Sequence, residues 1–263
     1  HLPTSGPRGR HDVVVAAIAV TAHAQFGVLT SHGRLVKAEA IDLPEVVGTA
    51  NAPSLRGGSR VEDLLVLTDA GTRRRVVKRV NPEVLSKDEW DVIRLEDNDE
   101  VVGGVELTDP SDELVFVTSD AQLLHFAADL VRPQGRSGGG VAGVRLTGGS
   151  SVVWFGVSPA TDAVVVTLSG TSSMLPGAQT GSVKVTPFED YPPKGRATGG
   201  VRCHRFLKGE DGLLLAWVGP QPVIAAGADG SPVDLPPATG KRDGSGTPAT
   251  WPITAVSSRT MPH

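Results

Sequence analysis

Gly135-Arg136-Ser137-Gly138-Gly139-Gly140-Val141 decides how the rest of this chain is read, because it returns as Gly195-Arg196-Ala197-Thr198-Gly199-Gly200-Val201 and as Gly240-Lys241-Arg242-Asp243-Gly244-Ser245-Gly246. Each copy follows a strand-like run and a proline, and each opens with a small residue and then a base. A worn copy, Ser86-Lys87-Asp88-Glu89-Trp90-Asp91-Val92, keeps the small residue, the base and the final valine, and Gly6-Pro7-Arg8-Gly9-Arg10 is a fifth candidate. The motif recurs about once every fifty residues. Such a period belongs to the blades of a closed all-β ring, in which each repeat buries its apolar face only against its neighbours.

Outward from these turns, short β-branched or apolar runs pair as hairpins. Residues 25–30 and 34–38 flank Ser31-His32-Gly33, and residues 114–118 and 122–126 flank Ser119-Asp120-Ala121. The plan returns in residues 163–167 with 183–185 across a longer loop, and in 223–226 with 231–233. A proline follows each hairpin: Pro44, Pro133, Pro192 and Pro236. The stretch 64–79 is shorter than the other units and reads as a truncated one. Five hairpins and a sixth unit shared between the chain ends fit a ring closed by its termini, which leaves no open sheet edge.

Composition agrees. The 32 glycines and 20 prolines among 263 residues suit many tight turns and little helix. A net charge of −4 does not advertise a nucleic-acid binder, so such a role needs bases gathered on one surface. The run Thr72-Arg73-Arg74-Arg75-Val76-Val77-Lys78-Arg79 gathers them, and Glu96-Asp97-Asn98-Asp99-Glu100 is expected to be a solvated acidic turn. One cysteine, Cys203, cannot form an internal disulfide, which favours a reducing compartment. The apolar run from Val13 to Val20 is far below the ~20 residues a spanning helix needs. The chain begins with His1 inside what reads as a repeat, so it is expected to be part of a longer polypeptide.

Three segments carry a resemblance: Ser31-His32-Gly33-Arg34-Leu35 with Asp42-Leu43-Pro44; Gln134 to Leu146; and Tyr191-Pro192-Pro193-Lys194 with the turn that follows. On these the chain resembles the C-terminal domain of the A subunit of bacterial type IIA topoisomerases, the gyrase and topoisomerase IV family, and the runs around Gln134 and Tyr191 are similar to an actinobacterial member. The resemblance implies an all-β β-pinwheel, a propeller-like disc of five to six four-stranded blades, here near residues 1–57, 58–95, 96–146, 147–206 and 207–263. It also implies a basic rim that binds duplex DNA, a cytoplasmic, nucleoid-associated setting without a membrane, and no cofactor in this stretch. For the whole ATP-dependent enzyme it implies a cleavage domain preceding this one in the same polypeptide, Mg²⁺, and a B subunit that hydrolyses ATP. Gyrases carry a Q-R-R-G-G-K-G box; the degenerate counterpart Gln134, Gly135, Arg136, Ser137, Gly138, Gly139, Gly140 keeps the glutamine, Arg136, Gly138 and Gly140 but has glycine at two of the basic positions. That departure favours topoisomerase IV-like decatenation and relaxation over the negative supercoiling of a gyrase.

Bases at the second motif position, Lys87, Arg136, Arg196 and Lys241, are the first candidates for DNA contact. Arg8, Arg10, Arg73, Arg74, Arg75, Lys78, Arg79, Lys194 and Arg242 extend the set, with Arg34 and Lys37 weaker. A curved row of bases beside glycines would hold phosphates through side chains and backbone N–H groups without reading sequence. The rival of another class is a propeller that works as a protein-interaction scaffold, and net acidity supports it. Gly135-Arg136-Ser137-Gly138-Gly139 matches a nucleophile elbow, but the repeat at Gly195 has alanine for the serine and no helix is expected to follow. The overlapping G-x-G-x-x-G from Gly138 runs into a strand, not a helix, which removes dinucleotide binding. Adjacent Cys203 and His204 point to opposite faces of a strand and make no metal pair; Cys203, Tyr191, Trp90, Trp154, Trp217 and Trp251 read as packing residues.

Overall fold

A computed structural model describes residues 8–44, 58–59, 72–73, 76–81, 85–97, 99–109, 111–158, 162–173 and 180–259. The four expected hairpins form: Gln25–Leu29 with Arg34–Glu39, Glu113–Thr118 with Gln122–Ala127, Ala163–Gly170 with Ser182–Pro187, and Val223–Ala226 with Pro232–Val233. The only helical turns among the described residues are three-residue 3-10 pieces, Ala40–Asp42, Ala128–Leu130 and Phe188–Asp190. Each leaves the second strand of a hairpin and delivers the chain to the proline read from the sequence. Residues 64–71, Arg74 and Arg75 lie outside the described residues, and only the backbone of Thr72–Arg73 is described.

Each sheet is completed by chain from later in the sequence. The second hairpin is flanked by Val152–Ser158 on one side and Val201–Arg202 on the other; the third is flanked by Gly212–Pro220 and Thr247–Pro248. The first hairpin receives Glu89–Asp91, the fourth receives Ala255–Ser258, and Val76–Val77 pairs with Val141–Ala142. Among the described residues two sheets therefore have the four strands expected of a blade, two have three, and two are strand pairs. The boundaries read from the sequence divide repeats, while the sheets interleave them.

Burial explains the strand patterns. In the second sheet Val115 and Val117 face the third sheet, packing with Val165, Leu213, Ala216 and Val218, while Leu114 and Phe116 face the other way with Leu124, Phe126 and Val77. The third sheet is likewise covered on both faces, with Val164, Val166 and Val185 against Ala225, Val233, Ile253 and Val256. A strand buried on both faces reads as an unbroken apolar run, which is what residues 163–166 show before Thr167 and Ser169 turn to the buried His204. Each such side chain contributes roughly 1.5–3 kcal/mol by leaving water. In the first sheet Gln25–Leu29 alternates exposed and half-buried residues, Arg34–Glu39 is half-buried up to its exposed last residue, and neither strand joins these clusters.

The first and last described segments meet. His11 N–H donates to Gly230 O (2.8 Å), the Arg8 guanidinium donates to Ala225 O (2.7 Å) and Val233 O (3.2 Å), and Ser257 bonds Val14 O. The opening copy of the motif thus docks on the last hairpin. One sequence expectation fails: the acidic turn is not wholly solvated, since Asp99 is buried in a short parallel pairing with Thr72.

Candidate nucleic-acid interface

Every motif turn leads into a strand at the edge of the preceding hairpin's sheet, and backbone bonds fix the register of the copies. Gln134 N–H donates to Arg79 O, Lys194 to His125 O and Gly240 to Val185 O, so Gln134, Lys194 and Gly240 correspond. Counting forward, Gly140, Gly200 and Gly246 correspond as well. A β-carbon on these would stand 2.7 Å from Val77 O, 2.3 Å from Leu123 O and 2.8 Å from Val183 O, so all three are seated against the same neighbour. Only glycine fits so close an approach.

This register corrects the alignment of the copies. Arg242, not Lys241, stands with Arg136 and Arg196, and the last copy begins at Lys241, one residue later than the glycine spacing suggests. Side chains agree: Arg196 Nη1 donates to Ala142 O (2.6 Å) and Arg242 Nη1 to Arg202 O (3.2 Å), the same bond one repeat on. In the worn copy Glu89 takes the place of Val141, which puts Lys87 level with Gly139 rather than with Arg136. Lys87, Arg136, Lys194 and Lys241 are exposed, and Arg196, Arg242 and Arg79 are half-buried.

Three expected contacts are committed elsewhere. Lys78 Nζ donates to Val92 O and Arg136 O, both at 2.7 Å, and burial lowers its pKa. Arg8 is spent on the fourth sheet and on Asp12 (2.9 Å), and Arg10 pairs with Asp229 at 3.3 Å.

Lys78 belongs to a set that lies outside the turn motif. Lys37, Lys78 and Lys184 occupy one register in three hairpins, and each ammonium donates to carbonyls of the turn region docked there: Lys37 to Leu85, Lys78 to Arg136, and Lys184 to Lys241 (3.0 Å), Arg242 (2.7 Å) and Gly244 (2.9 Å). Its signal in the sequence is a recurring Val-Lys pair, Val36-Lys37, Val77-Lys78 and Val183-Lys184. Lys184 is 3% exposed, and burial pulls its pKa down to about 8. The second hairpin has Leu124 there, and His125 beside it reaches Tyr191 O (2.8 Å) and the Glu113 carboxylate (2.6 Å).

His204 seats the last turn from the other side. Its Nε2 accepts the Gly246 N–H (3.2 Å), which leaves the proton on Nδ1 for Thr167 Oγ1 (2.8 Å), and burial lowers its pKa to about 4. Cys203, fully buried, packs in the core as expected, and burial pushes its thiol up to about 12. Tyr191 is structural: its hydroxyl meets Thr186 Oγ1 at 2.8 Å and burial raises its pKa. Trp90, Trp154 and Trp217 are half-buried, but Trp251 is 69% exposed and is not a packing residue.

A second row of bases also lies outside the motif. Arg94, Arg145 and Arg205 follow the edge strands, are exposed, and donate their backbone N–H groups to Gly138 O (3.3 Å), Thr198 O (2.9 Å) and Gly244 O (3.0 Å), corresponding residues of the next turn. Among the described residues no group of three or more His, Cys, Asp or Glu could hold a metal, and no helix is long and apolar enough to cross a membrane. Two shallow depressions flank the Gln134 turn, one lined by Val80, Asn81, Pro133 and Arg136, the other by Leu130, Arg132, Val141 and Arg196.

The family model for the DNA gyrase C-terminal domain, beta-propeller, matches residues 112–159 and 179–211, which contain the second hairpin and the second strand of the third. The DNA gyrase A protein of Mycobacterium tuberculosis (strain ATCC 25618 / H37Rv) is 29% identical over 209 residues, 72% of this chain and 24% of that protein. The chain spans about a quarter of the length of that relative. The solved C-terminal domain of DNA topoisomerase IV superposes with a TM-score of 0.65 at 19% identity, covering 90% of this chain and 79% of its own. The DNA gyrase A C-terminal domain gives 0.61 at 14% identity, covering 96% and 88%. The resemblance read from the sequence is borne out, and the fold is that of the β-pinwheels.

Proposed function

We propose that this chain, a relative in sequence and fold of the C-terminal domains of type IIA topoisomerase A subunits, binds and bends duplex DNA without reading its sequence. The observation behind this is that exposed Arg94, Arg145 and Arg205 follow successive edge strands and bond corresponding residues of successive turns, despite a net charge of −4. Phosphates meeting such a track would release counterions at each contact, so affinity depends on the number of bases engaged and on salt. Among the described residues the helical pieces are three residues long and the exposed bases lie on turns and beside edge strands, which suits backbone contact and not base readout. In the whole enzyme the domain would act beside the cleavage domain of the same polypeptide and with an ATP-hydrolysing B subunit, with Mg²⁺ and ATP used outside this chain.

Between the two subtypes we favour the topoisomerase IV-like role, decatenation and relaxation, over wrapping for negative supercoiling. The support is Gly135 and Gly139, which stand where a gyrase box has bases, while Gln134 closes the turn by accepting from Gly140 N–H at 3.0 Å. A titration of DNA binding against salt tests the function. A DNA track loses about 0.9 log units of affinity per log unit of salt for each phosphate neutralised; a protein-interaction scaffold shows no DNA affinity even at low salt. Topology assays on the parent enzyme with and without this region test the subtype, through loss of decatenation with supercoiling untouched.

A further inference from the structure

The two sets of arginines beside each turn do different work. Arg196 and Arg242 lie half-buried and point their guanidinium groups back at the preceding repeat, onto Ala142 O (2.6 Å) and Arg202 O (3.2 Å). Arg94, Arg145 and Arg205 present the reverse arrangement. Their backbones are pinned across the seam between repeats by the N–H bonds to Gly138, Thr198 and Gly244, and among the described residues their exposed guanidinium groups have no hydrogen-bond or ion-pair partner.

The neighbouring turn leaves room for something to reach them. A β-carbon at Gly139 would stand 3.5 Å from Arg94 O, and one at the corresponding Gly199 would stand 3.8 Å from the Arg145 Nη2. The absence of a side chain at Gly199 leaves space beside the Arg145 guanidinium, and at Gly139 it leaves space beside the backbone of Arg94. An unpartnered guanidinium on a pinned backbone is suited to an oxyanion with two acceptors in one plane, which a phosphodiester supplies.

Resting on the DNA reading above, we propose that Arg94, Arg145 and Arg205 are the phosphate-contacting row, and that Arg196 and Arg242 are staples that join one repeat to the next. The reading from the motif alone gives the DNA contact to Arg196 and Arg242 and no role to Arg94, Arg145 or Arg205.

The test uses the 263-residue chain and a mixed-sequence duplex, with log affinity followed against log salt. The triple variant Arg94→Ala, Arg145→Ala, Arg205→Ala is expected to lose roughly 2.7 from the slope, about 0.9 for each phosphate released, with its melting temperature unchanged. The double variant Arg196→Ala, Arg242→Ala is expected to melt earlier and, at a temperature where it stays folded, to keep nearly the parent slope. The single variant Arg145→Ala, losing about 0.9, guards against a cumulative folding defect in the triple. A triple variant with the parent slope, or a double variant that loses slope while the triple does not, overturns the assignment although the parent still binds DNA. A parent chain with no salt-dependent affinity sinks the DNA reading itself.

Discussion

Replacing Lys184 by methionine removes an ammonium and keeps most of the stem, which isolates the bonds that seat the last turn. The ammonium donates to three carbonyls at 2.7–3.0 Å from a side chain that is 3% exposed. Hydrogen bonds to a charged donor contribute about 1.5–3 kcal/mol each, but they do not sum here. Lys241 is exposed and Arg242 and Gly244 are half-buried, so their carbonyls can turn to water, and the variant no longer buries a charge. The net loss expected is about 2–3 kcal/mol, which for a chain of this size lowers the melting temperature by about 5–10 °C. Lys208→Met, at an exposed turn residue, is expected to change stability by less than about 0.5 kcal/mol. Urea and thermal melts give the stability, and a DNA titration at a temperature where the variant is folded gives the seating of the turn. A Lys184→Met chain that melts and binds as the parent does would refute the claim that this ammonium holds the turn.

Two other expectations rest on single positions. Gly200 has φ +73° and a β-carbon there would lie 2.3 Å from Leu123 O, whereas Gly148 at φ +57° has nothing within 4 Å. Gly148→Ala should cost about 1–2 kcal/mol for the left-handed backbone alone, and Gly200→Ala distinctly more because the strand Val201–Arg202 must leave the sheet; equal denaturation midpoints would show that the close approach is not what selects glycine. His204 has a folded pKa of about 4 against an ordinary 6.5. Between those values the unfolded chain binds a proton that the folded one refuses, so stability falls as pH drops from 6.5 toward 4, by about 1.4 kcal/mol per pH unit. Urea melts across that window should lose this dependence in His204→Gln, and a variant with the parent slope would show that the proton is taken up elsewhere.

The fold is legible because hairpin, proline and glycine turn are local features with local causes, and the four hairpins fall where residue patterns put them. What is not legible is which sheet each turn completes. The turn at Gly195 completes the sheet of the hairpin at 113–127, and nothing in its own sequence names Leu123 as its partner. The misplacement of Lys241 has the same origin: Gly240 looks like the motif's first glycine, and only the Gly240 N–H bond to Val185 O shows that it stands in the place of Gln134. A charged residue reads as solvated by default, which holds for Lys87 and fails for Lys78, Lys184 and Arg8, whose donors are consumed by backbone carbonyls. Exposed Trp251 reads as core because an aromatic residue near strands usually is.

Interleaving also bears on how a track of bases would act on DNA. The turn holding Arg242 is fixed by Lys184 from the hairpin it docks on, and by His204 and the carbonyl of Arg202 from the preceding repeat. A turn held from two repeats cannot shift to follow a straight duplex, so on the proposed reading the spacing of contacts is set by the ring and the DNA must conform. Bending a 20–30 bp site by 40–90° costs on the order of 1–6 kcal/mol, which added phosphate contacts have to offset. If the seating bonds were absent, each turn could adjust separately, contacts could form without curvature, and binding would persist while bending declined. On the proposed reading, buried Lys184 and His204 therefore bear on the shape imposed on DNA, and the exposed arginines on how tightly it is held.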